Sequence, residues 1–427
     1  MKERKKLRLK TWHWALIITA AVLLLTIVSV GIWWGIMDVE SFSEGWSLVR
    51  NMVDPPENNI YYRESYSVSD RKSEKWADKV VATAGGQQLT NGKLQVYYWM
   101  EVFTYLQYNG YYALGKGLDL SVPLDQQICP DFDGTWQQYF LDMTLKGWHE
   151  EQSLALVAQT KGVKLSAEEQ AELTQLRTEL AVSAVDGGFS SVDAMLQHDM
   201  GAGCTFDDYY YYRHTYYLAN AWFSACNEEA LSKIGTAELE AYFAAHQKEL
   251  AEDGITKASG LLYDVRHILI KPEGGKEDDE GNVTYTDAEW TACQEEAEKL
   301  LDKWLDAGGT EELFAEYADD HSADPGSNTS GGLYEDLAAD TDILEEYRDW
   351  YSDESRKIGD YGLIKTKQGY HIMYLSDMEP EWEVAARKGL LSEVSKEIVA
   401  QAKAQYPLEV TYKNIVLSVV DLEEALQ

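Results

Sequence analysis

The chain has 427 residues, 45% hydrophobic and 26% charged, enough to bury more than one core and to fold as two or three domains. A formal charge of -36 argues against nucleic acid as a partner; so acidic a surface keeps a protein soluble, with attraction to basic client proteins as the sharper reading. Cys129, Cys204, Cys226 and Cys293 form no CxxC pair and lie near no histidine at zinc-ligand spacing, so neither a metal site nor a cofactor follows from them. Buried thiols are expected, and one or two disulfides of unassigned connectivity are compatible with export.

The chain opens on Lys2, Arg4, Lys5, Lys6, Arg8 and Lys10, opposed only by Glu3, and continues as an uncharged apolar run over 11–37. Such a run spans a hydrocarbon core of about 30 Å. Trp12 and Trp14 at one end and Trp33 and Trp34 at the other suit the two interfacial belts, with the basic flank cytoplasmic. A cleaved signal peptide is the competing reading. Its apolar region would be about 7–15 residues long, and the only small-x-small exit here is Ser29-Val-Gly31. We therefore expect residues 1–37 to be a retained single-pass anchor in the cell membrane, with the bulk of the chain extracytoplasmic. Residues 38–76, with Pro55-Pro56 and Asn58-Asn59 and no sustained period, read as a linker.

Residues 77–257 read as a helical domain. It begins with a hairpin, Val80 to Ala84 turning at Gly85-Gly86 into Gln87 to Leu89, and Thr90-Asn91 then caps a helix. Helices are predicted over 92–112, 136–161, 167–185, 206–233 and 236–252, the third introduced by the capping box Ser166-Ala-Glu-Glu169. Tyr209 to Tyr212, Tyr216, Tyr217 and Trp222 recur at helical spacing, which is the mark of packing between helices; an aromatic client-binding groove is the functional alternative.

The pattern changes at 258. Strands are predicted over 261–271, 361–366 and 369–376, with an acidic loop at 273–287, helices over 288–306 and 310–319, a glycine-rich turn and a further helix between them. This order makes 258–379 an α+β domain with a small antiparallel sheet. Residues 380–427 add a helix over 382–405 and, after Pro407, a strand over 408–417.

Several motifs fail on inspection. With Gly281 at position six of an EF-hand loop, position one is Lys276 and position twelve is Asp287, so the acidic run is a solvated loop. His149-Glu150-Glu151 lacks the second histidine of a zinc-protease helix, and neither a GxSxG elbow nor a phosphate-cradling glycine loop is present. What remains is a pair of histidines on apolar strand faces. His267 shares its face with Val265 and Leu269, and His371 shares its face with Met373 and Leu375. Either one alone would read as a satisfied core residue. Two of them, separated by Ser322-Ala-Asp324 and Gly331-Gly332, call for another account.

From Leu261 to Asp377 the chain resembles a parvulin-type prolyl isomerase domain. The family's opening strand appears as Val265-Arg-His-Ile-Leu269 and its helix-to-turn motif as Phe314-Ala-Glu-Tyr-Ala318 followed by His321-Ser-Ala-Asp324. Its glycine turn appears as Gly331-Gly-Leu333, its mid-helix motif as Ile343-Leu-Glu-Glu-Tyr347 and its closing strand as Gly369-Tyr-His-Ile-Met373. The resemblance implies a hydrogen-bonded His267–His371 pair with Asp324, as the catalytic group, and a proline pocket of Leu333, Ile343, Tyr347 and Met373. This chain departs from the family in lacking the Asp and second Gly of its G-G-D-L-G turn, in Ile343 for Met and in Tyr347 for Phe. The Tyr347 hydroxyl would need a partner inside the pocket.

The order of anchor, helical domain, parvulin domain and C-terminal helix also resembles the PrsA and SurA extracytoplasmic foldases, on short motifs such as Val80-Val-Ala-Thr-Ala-Gly-Gly86. It implies that the C-terminal segment packs on the helical domain. It also implies clients that are unfolded or partly folded exported proteins containing X-Pro bonds. The expected function is isomerase and chaperone; the alternative is a non-catalytic holdase that uses a parvulin fold as a binding surface.

Overall fold

The structure, a computed structural model, describes residues 67–68, 76–277 and 283–422. The basic flank, the apolar run and nearly all of the predicted linker lie outside these residues. Among the described residues no helix is long and apolar enough to cross a membrane. They separate into two compact units, one of 67–68, 76–233 and 391–422, the other of 234–390.

In the first unit a two-residue strand β1 (Ser67–Val68) precedes β2 (Val80–Ala84) and β3 (Gln87–Thr90). The last two form the expected hairpin, and Gly85 and Gly86 turn it at φ 55° and 81°. Two consecutive left-handed residues suit a tight hairpin whose twist matches its strands, and glycine adopts them without steric cost. Five helices follow: α1 (Asn91–Gly115), α2 (Trp136–Lys161), α3 (Ala167–Asp186), α4 (Val192–Met200) and α5 (Phe206–Leu231). Ser166 and Glu169 make the predicted capping box, and Thr135 with Gln138 makes another at the start of α2. The nine-residue α4 was not anticipated, since so short an element carries little periodic signal, yet it buries Met195 and Leu196 completely. Tyr209, Tyr216 and Tyr217 are buried in one cluster with Trp136, Phe140 and Trp148, so much of the tyrosine run is core.

The second unit starts with α6 (Thr236–Glu252), which the sequence pattern had put in the helical domain. Leu239 and Phe243 of this helix pack on Trp382 and Ala386, with Phe243 and Trp382 edge to face at 5.5 Å. That contact moves the boundary from 257/258 to 233/234. The sheet follows, with β4 (Leu261–Ile270), β5 (Lys276–Glu277), β6 (Val283–Thr284), α7 (Asp287–Asp306), α8 (Glu311–His321), β7 (Leu333–Ala338), α9 (Glu345–Tyr351), β8 (Tyr361–Lys365) and β9 (Tyr370–Pro380) in chain order. β5 and β6 pair within the predicted acidic loop, while β7, β4, β9 and β8 form an antiparallel sheet in that order. β7 occupies the stretch read as turn alone: two glycines and three acidic residues around it mask a strand.

Both faces of this sheet are covered. Ile268, Ile270 and Ile372 meet Trp304, Phe314 and Ala318 of α7 and α8, while Val265, Met373 and Leu375 meet Tyr347, Trp350 and Tyr351 of α9 on the other side. Alternation along β4 and β9 assigns each residue to its face, and the histidines fall on the α9 side.

The last helix, α10 (Glu381–Gln405), belongs to the second unit through Leu390 and to the first from Leu391. Beyond it the expected strand over 408–417 is broken into β10 (Glu409–Val410), a 3-10 turn (Tyr412–Asn414) and β11 (Val416–Leu417). β10 pairs with β2, and β11 runs parallel to β1. Two buried amides of α1 explain the interruption. Asn91 donates to Asn414 O at 2.8 Å and accepts from Val416 N at 2.9 Å, while Gln95 donates to Val416 O at 2.7 Å and accepts from Ser418 N at 2.9 Å. The side chains stand in for a neighbouring strand, satisfying backbone groups that burial would otherwise leave unpaired.

Candidate active site

His267 lies on β4 and His371 on β9. The register pairs His267 with Met373 and Leu269 with His371, so the two histidines are diagonal neighbours on one face. Their rings stack at 5.2 Å and 12°, with Nδ1 to Nδ1 at 2.9 Å. Both are buried.

Asp324 reaches them from the turn after α8. That turn is tied to β4 by Ala323 N donating to Leu269 O at 2.8 Å and by Leu269 N donating to Ser322 Oγ at 3.1 Å. Asp324 Oδ2 is 2.9 Å from His267 Nε2 and accepts from Ser327 Oγ at 2.7 Å and Tyr334 Oη at 2.9 Å. The glycine turn closes the loop: Gly332 N donates to Ser327 O, and His267 N donates to Gly332 O at 2.8 Å. Gly332 has φ 71°, and a Cβ there would lie 2.3 Å from His267 O, so the position admits no side chain.

A fourth group, Thr366, was not found from the sequence. Its hydroxyl is 2.8 Å from His371 Nε2 and accepts from Gln368 N at 3.1 Å. Its signal was its place between two strands in a turn that ends at Gly369. The partners set the proton positions. An ionised Asp324 can only accept, so His267 Nε2 carries a proton toward it. Thr366, His371, His267 and Asp324 thus form one hydrogen-bonded chain.

The electrostatics agree with this arrangement. Burial, seconded by the neighbouring His267, lowers the His371 pKa to about 3, so its ring is neutral at ordinary pH. The hydrogen bond from His267 leads in holding the Asp324 carboxyl below its usual range, with Ser327 and Tyr334 adding to it against burial. Burial, then Asp324, pushes the Tyr334 phenol up to about 12.

Beside the chain lies an apolar floor. Met373 is fully buried, Ile343 is partly buried, and the Tyr347 ring meets His267 at 5.2 Å and His371 at 5.9 Å, edge-on to both. These three expected pocket residues come together. Leu333 does not join them, because its register partner is Arg266, on the α8 face where Arg266 binds Glu311. Tyr334, opposite Val265, faces the histidines instead. The Tyr347 hydroxyl is buried with no hydrogen-bond partner among the described residues. Among those residues no group of His, Cys, Asp and Glu could hold a metal ion. A hydrogen-bonded chain ending on an ionised carboxylate beside an apolar floor can grip a ring and set the polarity around a neighbouring amide.

Residues 267–377 match the family model described as Rotamase: PPIC-type PPIASE domain. The chain is 34% identical over 141 residues to the chaperone SurA of Pseudoalteromonas atlantica, an alignment covering 32% of this chain and 27% of that relative. It thus spans about a quarter of the curated relative's length. Among solved structures, PrsA from Bacillus subtilis is 18% identical with a TM-score of 0.31, covering 65% of this chain and 91% of that one. The foldase protein PrsA from Streptococcus pneumoniae is 16% identical with a TM-score of 0.22, covering 62% and 76%.

Proposed function

We propose, from the premise that residues 267–377 are a parvulin-type PPIC domain, that the chain is a prolyl isomerase and chaperone of unfolded polypeptides. The observation that carries this reading is the hydrogen-bonded chain from Thr366 through both histidines to Asp324, set against the floor of Met373, Ile343 and Tyr347. Rotation about a prolyl bond passes a barrier of about 18–20 kcal/mol, at whose top the amide is twisted and has lost its resonance. No covalent bond need form. A site accelerates the rotation by binding the twisted amide better than either planar isomer.

In this reading the floor holds the pyrrolidine ring while the rest of the segment turns. His371 is neutral and Asp324 is ionised, so in this reading a negative charge lies beside the amide. A negative field disfavours the resonance form that places charge on the carbonyl oxygen, which raises the planar isomers toward the twisted state.

We further propose that the substrates are exported proteins and that the apolar run over 11–37 anchors the chain in the cell membrane, with the folded units on the outer side. The run's length, its tryptophan pairs and its basic flank support this. The non-catalytic holdase reading draws on one observation, the unsatisfied Tyr347 hydroxyl in the floor of the site.

Isomerisation of a proline-containing peptide by the full chain tests the proposal. His267→Ala should lower kcat/KM at least about tenfold, or about 1.4 kcal/mol of transition-state stabilisation. Equal rates for parent and variant, alongside intact suppression of client aggregation, would leave the holdase reading standing.

A further inference from the structure

We propose that Tyr334 is a positioning residue of this site: its hydroxyl pins the Asp324 carboxylate toward His267, and its ring forms the solvent-side wall past which a proline segment enters. The inference rests on the isomerase reading and goes beyond it, since nothing in the proton chain itself requires a phenol at this position.

The backbone places the residue. Val265 pairs with Tyr334 and Tyr263 with Leu337, so two steps along β4 oppose three along β7. The extra residue is taken up at Glu335 and Asp336, where Asp336 stands at φ 56° and its N–H donates to Asp264 Oδ1 at 2.9 Å. This bulge brings Tyr334 and Leu337, three apart in sequence, onto one face, and it re-aims Tyr334 at the histidines.

The hydroxyl then reaches Asp324 Oδ2 at 2.9 Å, with the Ser327 side chain beside it. Asp324 Oδ2 takes three donors, from His267, Ser327 and Tyr334, whereas Oδ1 takes only a long bond of 3.3 Å from Gly326 N. A carboxylate turns easily about its last bond, so the number of donors on each oxygen decides which one it presents. Without the phenol, Ser327 alone would hold Oδ2 from the loop side. An aliphatic residue at 334 could line the entrance but could not make this bond.

The ring has a second position-dependent property. Tyr334, Tyr347 and His371 lie 5.5, 5.2 and 5.2 Å from the His267 ring, and of these three Tyr334 alone is exposed, at 36%. A segment approaching His267 from solvent therefore meets this ring.

The test compares the full-length parent with Tyr334→Phe and Tyr334→Ala, reading kcat and KM on an X-Pro peptide and the 15N imidazole spectrum of His267. Tyr334→Phe should lower kcat about tenfold with KM unchanged, the effect of losing one hydrogen bond to a charged group, and should shift the Nε2–H signal of His267, whose carboxylate partner is no longer pinned. Tyr334→Ala should show the same loss and a raised KM. Parent-like kcat and spectrum in Tyr334→Phe would overturn the pinning role, and an unchanged KM in Tyr334→Ala would overturn the wall. If the parent itself does not turn over, the isomerase reading fails, and the spectrum alone then decides the pinning role.

Discussion

Tyr347→Phe should make the second unit more stable. The Tyr347 side chain is 6% exposed, and its hydroxyl is buried without a hydrogen-bond partner among the described residues. Leaving such a hydroxyl unpaired costs about 1–3 kcal/mol. Deleting the oxygen opens a void of roughly one water probe, about 10–15 Å³, which at ~24 cal/mol per Å³ costs about 0.3 kcal/mol. The balance favours phenylalanine by about 0.7–2.7 kcal/mol. For a unit of this size each kcal/mol moves Tm by about 2–4 °C, so the rise should be about 1–11 °C. Differential scanning calorimetry of the full chain reads it directly, with urea unfolding as the equilibrium check. A loss of 1 kcal/mol or more in the variant would show that the hydroxyl is paired in solution, and the argument for a compromised floor would fall with it.

Two further predictions concern His371 and Gly332. His371 is held neutral in the folded state down to about pH 3, whereas in the unfolded chain it titrates near 6.5, so the unfolded state binds the extra proton between these values. Its contribution to stability is therefore complete above about pH 6.5 and is lost as the pH falls toward 3; urea unfolding from pH 4 to 8 should show this slope, and His371→Asn should flatten it. Gly332→Ala should cost at least about 2 kcal/mol, because the new Cβ would press on His267 O at a left-handed φ, whereas Gly110→Ala in α1, where a Cβ meets nothing within 4 Å, should be neutral or stabilising. Thermal unfolding of the pair checks it; similar midpoints would contradict the tight approach of the glycine turn.

Several longer helices were legible where their ends were chemically marked. α2 and α6 have their predicted bounds and α3 is one residue longer, each with a glutamine or glutamate of the first turn folded back on the preceding backbone: Gln138 on Thr135, Glu238 on Gly235 and Glu169 on Ser166. What escaped depended on partners far away in sequence. Nothing near Leu408 to Leu417 announces that Asn91 and Gln95, more than 300 residues earlier, will take the place of a strand. Likewise α6 looks like one more helix of its domain until Trp382 is seen to be its packing partner. Local signals fix where an element starts; which unit it joins is decided by which distant side chain covers its apolar stripe.

The site divides along the same line. His267 and His371 could be read from strand alternation, since a residue's face follows from its parity once the strand is known, and Asp324 followed from the family resemblance. Leu333 failed for a physical reason that parity cannot supply. A bulge adds one residue to β7 against β4, and the apolar Leu337 and the polar-tipped Tyr334 come to share a face at a spacing of three. Counting by twos from Leu337 would put Leu333 on the histidine side and send Tyr334 away. The left-handed Asp336 reverses that count, and an aspartate at such a φ is a conformation its short polar side chain tolerates better than most. Replacing Asp336 by a β-branched residue should therefore act at a distance: by disfavouring the bulge it would loosen the Tyr334–Asp324 bond without touching either group.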